Sequence, residues 1–155
     1  MTKIETLLII HKHPKILLAM KKKKFGIGKY NGFGGKVEKG ETITQAAIRE
    51  TFEEGNINVI NPKKIGEILF KFEEGEEDHL VHFFKAEDYN GELKETEEMK
   101  PQWFNIEEIP YDKMWEDDKH WLPLLLENKK FIGNFNFNKE GKISDYKLNQ
   151  VSSLN

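Results

Sequence analysis

Residues Gly34–Ile57 read GGKVEKGETITQAAIRETFEEGNI. A glycine-rich turn runs into a segment whose pattern predicts a helix from Thr42 to about Gly55. Thr42 and Gln45 have the spacing of a capping box, in which each side chain satisfies a free backbone N–H of the other residue. Gly55-Asn56 is a stop signal, because both residues tolerate the left-handed conformation at a helix end. The helix carries Glu50, Glu53 and Glu54, and positions three and four apart share one helical stripe. Adjacent carboxylates repel, and they stand in the C-terminal half, where the helix dipole disfavours anions. A hard divalent cation removes the conflict, since it takes carboxylate oxygens and keeps its waters. Taken alone, the stripe is equally compatible with a solvated acidic face. The glycines shift the reading toward a site, because glycine lets backbone approach a phosphate or a metal closely.

Outward from this segment, the 155 residues suit one domain, 1–155, with one core. Hydrophobic residues make up 37% and the charged 33% is mixed in sign, which argues against disorder. A net charge of -3 gives no electrostatic footprint for a nucleic-acid polymer, so a nucleotide partner would be small. With no cysteine there is no disulfide frame, thiolate nucleophile or thiolate metal site. No apolar run has the length of a membrane span, and MTKIETLLII is too short an apolar start for a signal peptide. The expectation is a cytoplasmic, monomeric protein with no membrane partner. Arg49 is the only arginine in a lysine-rich chain, which suggests a task lysine cannot perform, such as a planar bidentate carboxylate pair.

Ile4–Ile10 and Lys15–Met20 read as strands joined by a turn at His13-Pro14, and Lys21–Gly35 as a basic connection. Gly66–Phe72 and His79–Ala86 read as a hairpin across the acidic tip Glu73–Asp78. Pro101–Asn105 is a short strand. Asp118–Asn128 is a second helix, with Pro123 expected in its first turn, where no N–H is needed. Phe131–Phe137 and Ile143–Leu148 are closing strands, and Val151–Asn155 is expected to fray. Many strands with two helices predict a mixed, layered α/β domain.

The opening segment resembles the signature of the Nudix hydrolases. Gly35, Glu41, Arg49, Glu50, Glu53, Glu54 and Ile57 fall on its positions, while Thr51 replaces an aliphatic residue and Asn56 a glycine. The resemblance extends over nearly the whole chain, through YNGFGGKV (Tyr30–Val37), EMKPQWFNIEEIP (Glu98–Pro110) and KMWEDDKHWLPLLLENKKFIGNF (Lys113–Phe135). It is to the branch that cleaves oxidised purine nucleoside triphosphates, such as 8-oxo-dGTP and 2-hydroxy-dATP, to the monophosphate and pyrophosphate. The resemblance implies an α/β/α sandwich with a mixed sheet and two main helices. It also implies Mg2+, with Mn2+ as a substitute, held by the Gly34 carbonyl, Glu50, Glu53, Glu54 and Glu98. Glu54 or Glu98 would be the general base, with Glu41 and Arg49 as support. Lys21 and Lys36 would approach the phosphates. Thr6, Phe25, Asn31, Phe33, Gly34, Gly35, Phe70, Phe72, Trp115, Asp117 and Asp118 would contact the substrate.

The residues themselves support parts of this. Phe70 and Phe72 share one strand face, which suits a pocket wall or ordinary core. Trp115 is a stacking surface for a purine or an anchor for the second helix. Asp117 and Asp118 read the base, cap that helix, or both. Lys22–Lys24 read as a solvated loop, as do His11 and His13 near their turn. His79 stands where relatives have an apolar pocket residue, which bears on base preference. Two other readings are a hydrolase of ADP-ribose or a dinucleoside polyphosphate, and a module that senses a nucleotide without cleaving it. The intact carboxylate set argues against the sensor.

Overall fold

Strand β1 (Thr2–Lys12) turns at His13-Pro14 into β2 (Lys15–Lys21), as the sequence predicts. The computed structural model describes residues 1–154. The Lys21–Gly35 connection contains the short strand β3 (Tyr30–Asn31) and most of β4 (Phe33–Lys36). The first helix, α1, spans Ile43–Gly55, with both capping-box bonds made and Asn56 left-handed at φ 63°. After it come β5 (Ile57–Ile60), β6 (Lys63–Phe72), β7 (Asp78–Ala86), β8 (Asp88–Gly91) and β9 (Met99–Asn105). Two 3-10 turns lead to α2 (Asp118–Leu126), and β10 (Lys130–Phe137) and β11 (Ile143–Val151) close the chain.

The main sheet runs β11-β10-β6-β7-β1-β2-β3, with β4 paired to β1 and β9 to β2. It is mixed: β1 lies parallel to β7 and β10 parallel to β6, while the other pairs are antiparallel. β5 and β8 form a separate ribbon. Period-two alternation divides the core between the sheet's two faces. Leu8 and Ile10 of β1 join Phe33, Phe84 and Ala47 of α1, whereas Ile9 joins Phe83, Phe131 and Trp121, Leu122 and Leu125 of α2. Helices on opposite faces of a sheet make the expected α/β/α sandwich.

Several expectations are corrected. β5 and β8 carry Asn-containing or acidic stretches with weak strand signal, and their pairing is set by tertiary position. Pro123 is the sixth residue of α2, not part of its first turn, so the bond its N–H would donate to Lys119 is missing. α2 stops at Leu126, and Asn128 is left-handed at φ 59°. Val151 does not fray but pairs with Lys130; Asn155 lies outside the described residues. His11 is buried, not solvated, because β1 sets it opposite Ile16 of β2 and near Lys85 of β7.

Candidate active site

The turn Gly32–Gly35 is pressed against β1 and α1, and contact with backbone alone requires glycine at Gly34. A Cβ at Gly34 would collide with the Thr6 carbonyl oxygen, and one at Gly35 with Glu50 Oε2. The Gly34 N–H donates to Glu54 Oε1 at 2.9 Å. Glu54 is 3% exposed, and burial pushes its carboxyl up to about 8 against that bond, with the Glu50 charge adding to the rise. Glu50 is pushed to about 7, by burial first and then by Glu53 and Glu98, against the pull of Arg49. Glu98, half-buried just before β9, thus belongs to the same charged cluster.

Arg49 makes the bidentate pair anticipated for the lone arginine. Its Nε and Nη2 donate to Glu41 Oε2 and Oε1 at 2.6 and 3.1 Å. Nη2 also donates to the Lys36 carbonyl at 3.0 Å, tying helix to turn. Nη1 donates to Glu50 Oε1 at 3.2 Å and to both Glu53 oxygens. The Arg49 hydrogen bonds hold the Glu41 carboxyl below the usual carboxylate range.

Among the described residues, no three His, Asp or Glu side chains stand positioned to hold a metal ion. Of the expected set Gly34, Glu50, Glu53, Glu54 and Glu98, Arg49 holds Glu53 and one oxygen of Glu50, while Glu50 and Glu54 each feel the charge of Glu98. The chemistry of the donors still fits a hard cation. Buried carboxyls raised by one another's charge favour a cation that relieves the repulsion.

A cleft of about 360 Å³ opens beside this cluster on the α2 face of the sheet. Glu54, Lys21, Gly34 and Gly35 line one end, and Thr6, Asn31, Phe70, Phe72, Trp115 and Asp117 line the rest. Phe70 serves both readings of the sequence: it is 8% exposed, packs in the core, and walls the cleft. Phe25, 77% exposed, stacks on Trp115 with ring centroids 4.9 Å apart, and Lys29 Nζ lies 5.0 Å from that ring.

The expected helix cap at Asp117-Asp118 is absent: no side-chain cap bond is made. Asp117 Oδ2 instead accepts from Trp121 Nε1 at 2.8 Å, one turn along α2. Trp121 is itself clamped by Phe83 at 4.5 Å, so core packing fixes the carboxyl's orientation. Asp118 is buried behind the cleft wall, and its Oδ2 has no hydrogen-bond partner among the described residues. Burial raises both carboxyls, and the Asp117 charge lifts Asp118 further, well above the usual carboxylate range. Two other expectations change. Phe33 is fully buried under α1 and is not on the cleft wall, because β4 turns it to the opposite face from the cleft. Lys36 is exposed and off the wall, contributing its carbonyl to Arg49.

Sequence reasoning misses Glu5, Leu7, Lys29, Val81, Phe83, Met99, Trp121 and Phe137 as lining residues, and it marks His79 only as a departure from relatives. For those on β1 and β7 the signal is period two: Glu5 and Leu7 share a face of β1, as do His79, Val81 and Phe83 on β7. Choosing that face as the cleft face needs the pairing of β1 with β7.

A sandwich with this turn, carboxylate helix and flanking cleft defines a class, and the match to the NUDIX domain covers residues 3–125. The chain belongs to the Nudix family. It is 48% identical over 153 residues to the oxidized purine nucleoside triphosphate hydrolase of Danio rerio, covering 99% of this chain and 98% of that one. It is 44% identical to the protein of the same name from Mus musculus, with the same coverage. Among solved structures, a MutT protein from Bacillus halodurans superposes with a TM-score of 0.85 at 29% identity, covering 95% of this chain and 97% of that one.

Proposed function

We propose that this protein hydrolyses oxidised purine nucleoside triphosphates, such as 8-oxo-dGTP and 2-hydroxy-dATP, to the monophosphate and pyrophosphate, with Mg2+ as its cation and Mn2+ as a substitute. The observation that carries the reading is one cleft joining a buried glutamate cluster to an aromatic chamber with a carboxyl in its wall. Near-full-length likeness to two oxidized purine nucleoside triphosphate hydrolases supports it. Glu50, Glu53, Glu54, Glu98 and the Gly34 carbonyl would hold the divalent cation, which would supply charge neutralisation at the phosphates and a more acidic attacking water. Lys21, beside Glu54, meets the phosphate charge, and the Gly34–Gly35 backbone admits the chain closely. Glu54 or Glu98 accepts the proton of the attacking water. Trp115 and Phe25 supply stacking faces, while Asn31 offers the base a donor and an acceptor.

At the base end, Asp118 is the protonated member of the carboxyl pair and Asp117 the acceptor, since the Trp121 N–H occupies Asp117 Oδ2. A role in the nucleotide pool supports a cytoplasmic location. No helix among the described residues is long and apolar enough to cross a membrane.

The test is a turnover screen of oxidised and ordinary purine triphosphates, ADP-ribose and dinucleoside polyphosphates with Mg2+, in wild type and Glu54→Gln. Oxidised purine triphosphates should lead the ranking, and Glu54→Gln should lose at least about a hundredfold in kcat. A leading ADP-ribose, or full activity in excess chelator, overturns the reading.

A further inference from the structure

The apolar chamber of the cleft contains one polar pair that the proposed reaction leaves unused. Glu5 of β1 and His79 of β7 both line the cleft, and His79 Nδ1 lies 2.7 Å from Glu5 Oε1. The two strands run parallel side by side, with Glu5 opposite Val81, so the bond crosses a core strand pair rather than a loose surface. Each side chain is about one quarter exposed, at 24% for His79 and 26% for Glu5, so the pair is open to a ligand. The His79 ring meets the edge of Phe72 at 5.2 Å, and Phe72 stacks on Phe137 at 5.7 Å. The pair is thus built into the aromatic part of the cleft, where a base would lie.

The chemistry of the pair follows from its partners. An ionised carboxylate can only accept, so Nδ1 carries the proton and donates to Glu5. That fixes the tautomer and leaves Nε2 without a protein partner among the described residues. Among the same residues, the second Glu5 oxygen is likewise free of any side-chain or backbone donor. Two polar atoms with unmet capacity, framed by Phe72, Val81 and Leu7, discriminate between ligand edges. A hydrogen-bonding group placed there meets a partner; a methyl group there strips water from both atoms and returns nothing.

We infer that Glu5 and His79 are specificity-determining residues, and that this hydrogen-bonded pair favours purines presenting a polar exocyclic group over purines in which that group is methylated. The inference rests on the purine triphosphatase reading and extends it to two further residues of the cleft lining.

The experiment measures kcat and KM for 8-oxo-dGTP, 2-hydroxy-dATP, dGTP, and the O6-methylguanine and N6-methyladenine deoxynucleoside triphosphates. It uses wild type, His79→Met and Glu5→Gln. His79→Met replaces the ring by an apolar chain of similar reach and should raise methylated relative to unmethylated substrates by about tenfold. The change should fall mainly on KM, because the pair acts on binding of the base and not on the phosphates. Glu5→Gln keeps an acceptor for Nδ1 but loses the charge, and should shift the ratio the same way by about threefold. Thermal unfolding of both variants separates folding loss from selectivity. An unchanged methylated-to-unmethylated ratio in both variants, with activity lowered evenly across substrates, means that the pair only joins β1 to β7 and overturns the inference alone. A wild type that turns over none of the purine triphosphates overturns the substrate reading, and this inference with it.

Discussion

Arg49 shows how much one side chain can be asked to do. Its guanidinium fills a fork: Nε and Nη2 hold Glu41, Nη2 also reaches the Lys36 carbonyl, and Nη1 faces Glu50 and Glu53. A lysine keeps the charge but offers one nitrogen, which cannot span Glu41 and the turn together. Arg49→Lys should therefore lose about ten- to a hundredfold in kcat, as orienting residues behind a metal site do, with a smaller effect on KM. Steady-state kinetics with 8-oxo-dGTP decide the matter, and a fully active lysine variant would reduce the fork to coincidence. The carboxyl pair makes a second prediction at this scale. Asp118 is raised well above the usual range by burial and by Asp117, so it keeps its proton to higher pH than an ordinary carboxyl and ionises as pH climbs. In wild type the ratio of kcat/KM for 8-oxo-dGTP to that for 2-hydroxy-dATP should change as pH rises and Asp118 ionises, at a pH above the usual carboxylate range. Asp118→Asn stays neutral and should hold the low-pH ratio throughout. Asp117→Asn should alter the ratio at every pH, since it changes the group that lines the cleft. Identical profiles in all three proteins would remove the pair from base reading.

At the level of elements, α1 is legible in the sequence because its signals are local. Thr42 and Gln45 make both capping bonds, at 3.1 Å to the Gln45 N–H and 2.8 Å from the Thr42 N–H, and Asn56 ends the helix in the left-handed region. Thr42→Ala removes one of these bonds and should cost about 1 kcal/mol. In a chain of this size that is a fall of about 2–4 °C in Tm, which calorimetry would register. Unchanged Tm would mean that packing of Ala46 and Ala47 alone holds the helix start. The cleft face is less legible, and the reason is physical. Phe33 and Phe70 are both aromatic residues in strands, yet β4 turns Phe33 under α1 while β6 turns Phe70 to the cleft. Period two says which residues share a face but not which face meets a ligand; that is decided by pairing across distant strands. The cap expected at Asp117 fails for a similar reason, since its partner Trp121 is set by core packing against Phe83.

For the whole molecule, acid stability collects contributions of opposite sign. Asp117 and Asp118 are raised above their unfolded values, so what they contribute is greatest at low pH and is lost as pH rises. The histidines act the other way: His82 and His120 are lowered, in each case chiefly by burial. His11 is pulled down to about 4, by burial first, then by Lys85 and His13. Its setting is a corner where three elements meet. β1 buries the ring at 7% exposure with Nε2 unpartnered among the described residues, and β7 brings in Lys85. Lys85 Nζ donates to Asn128 Oδ1 at 2.7 Å, beyond the end of α2, so the lysine cannot swing away without loosening that helix end. In the unfolded chain His11 titrates near its ordinary value of about 6.5. As pH falls from there toward about 4, the unfolded state binds a proton that the folded state refuses, and stability drops across that window. The loss amounts to at most about 3.4 kcal/mol, and below the folded value this residue costs nothing further. Because the aspartates oppose it, the wild-type profile alone cannot isolate the effect; a difference can. His11→Leu has no proton to refuse, and Leu fits an apolar strand interior. Urea unfolding of both proteins at about pH 7.5 and 4.5 should show the variant gaining about 2–3 kcal/mol on wild type as the medium is acidified. Parallel stability profiles would show that His11 takes up its proton without disturbing the corner, and that Lys85 does not oppose it.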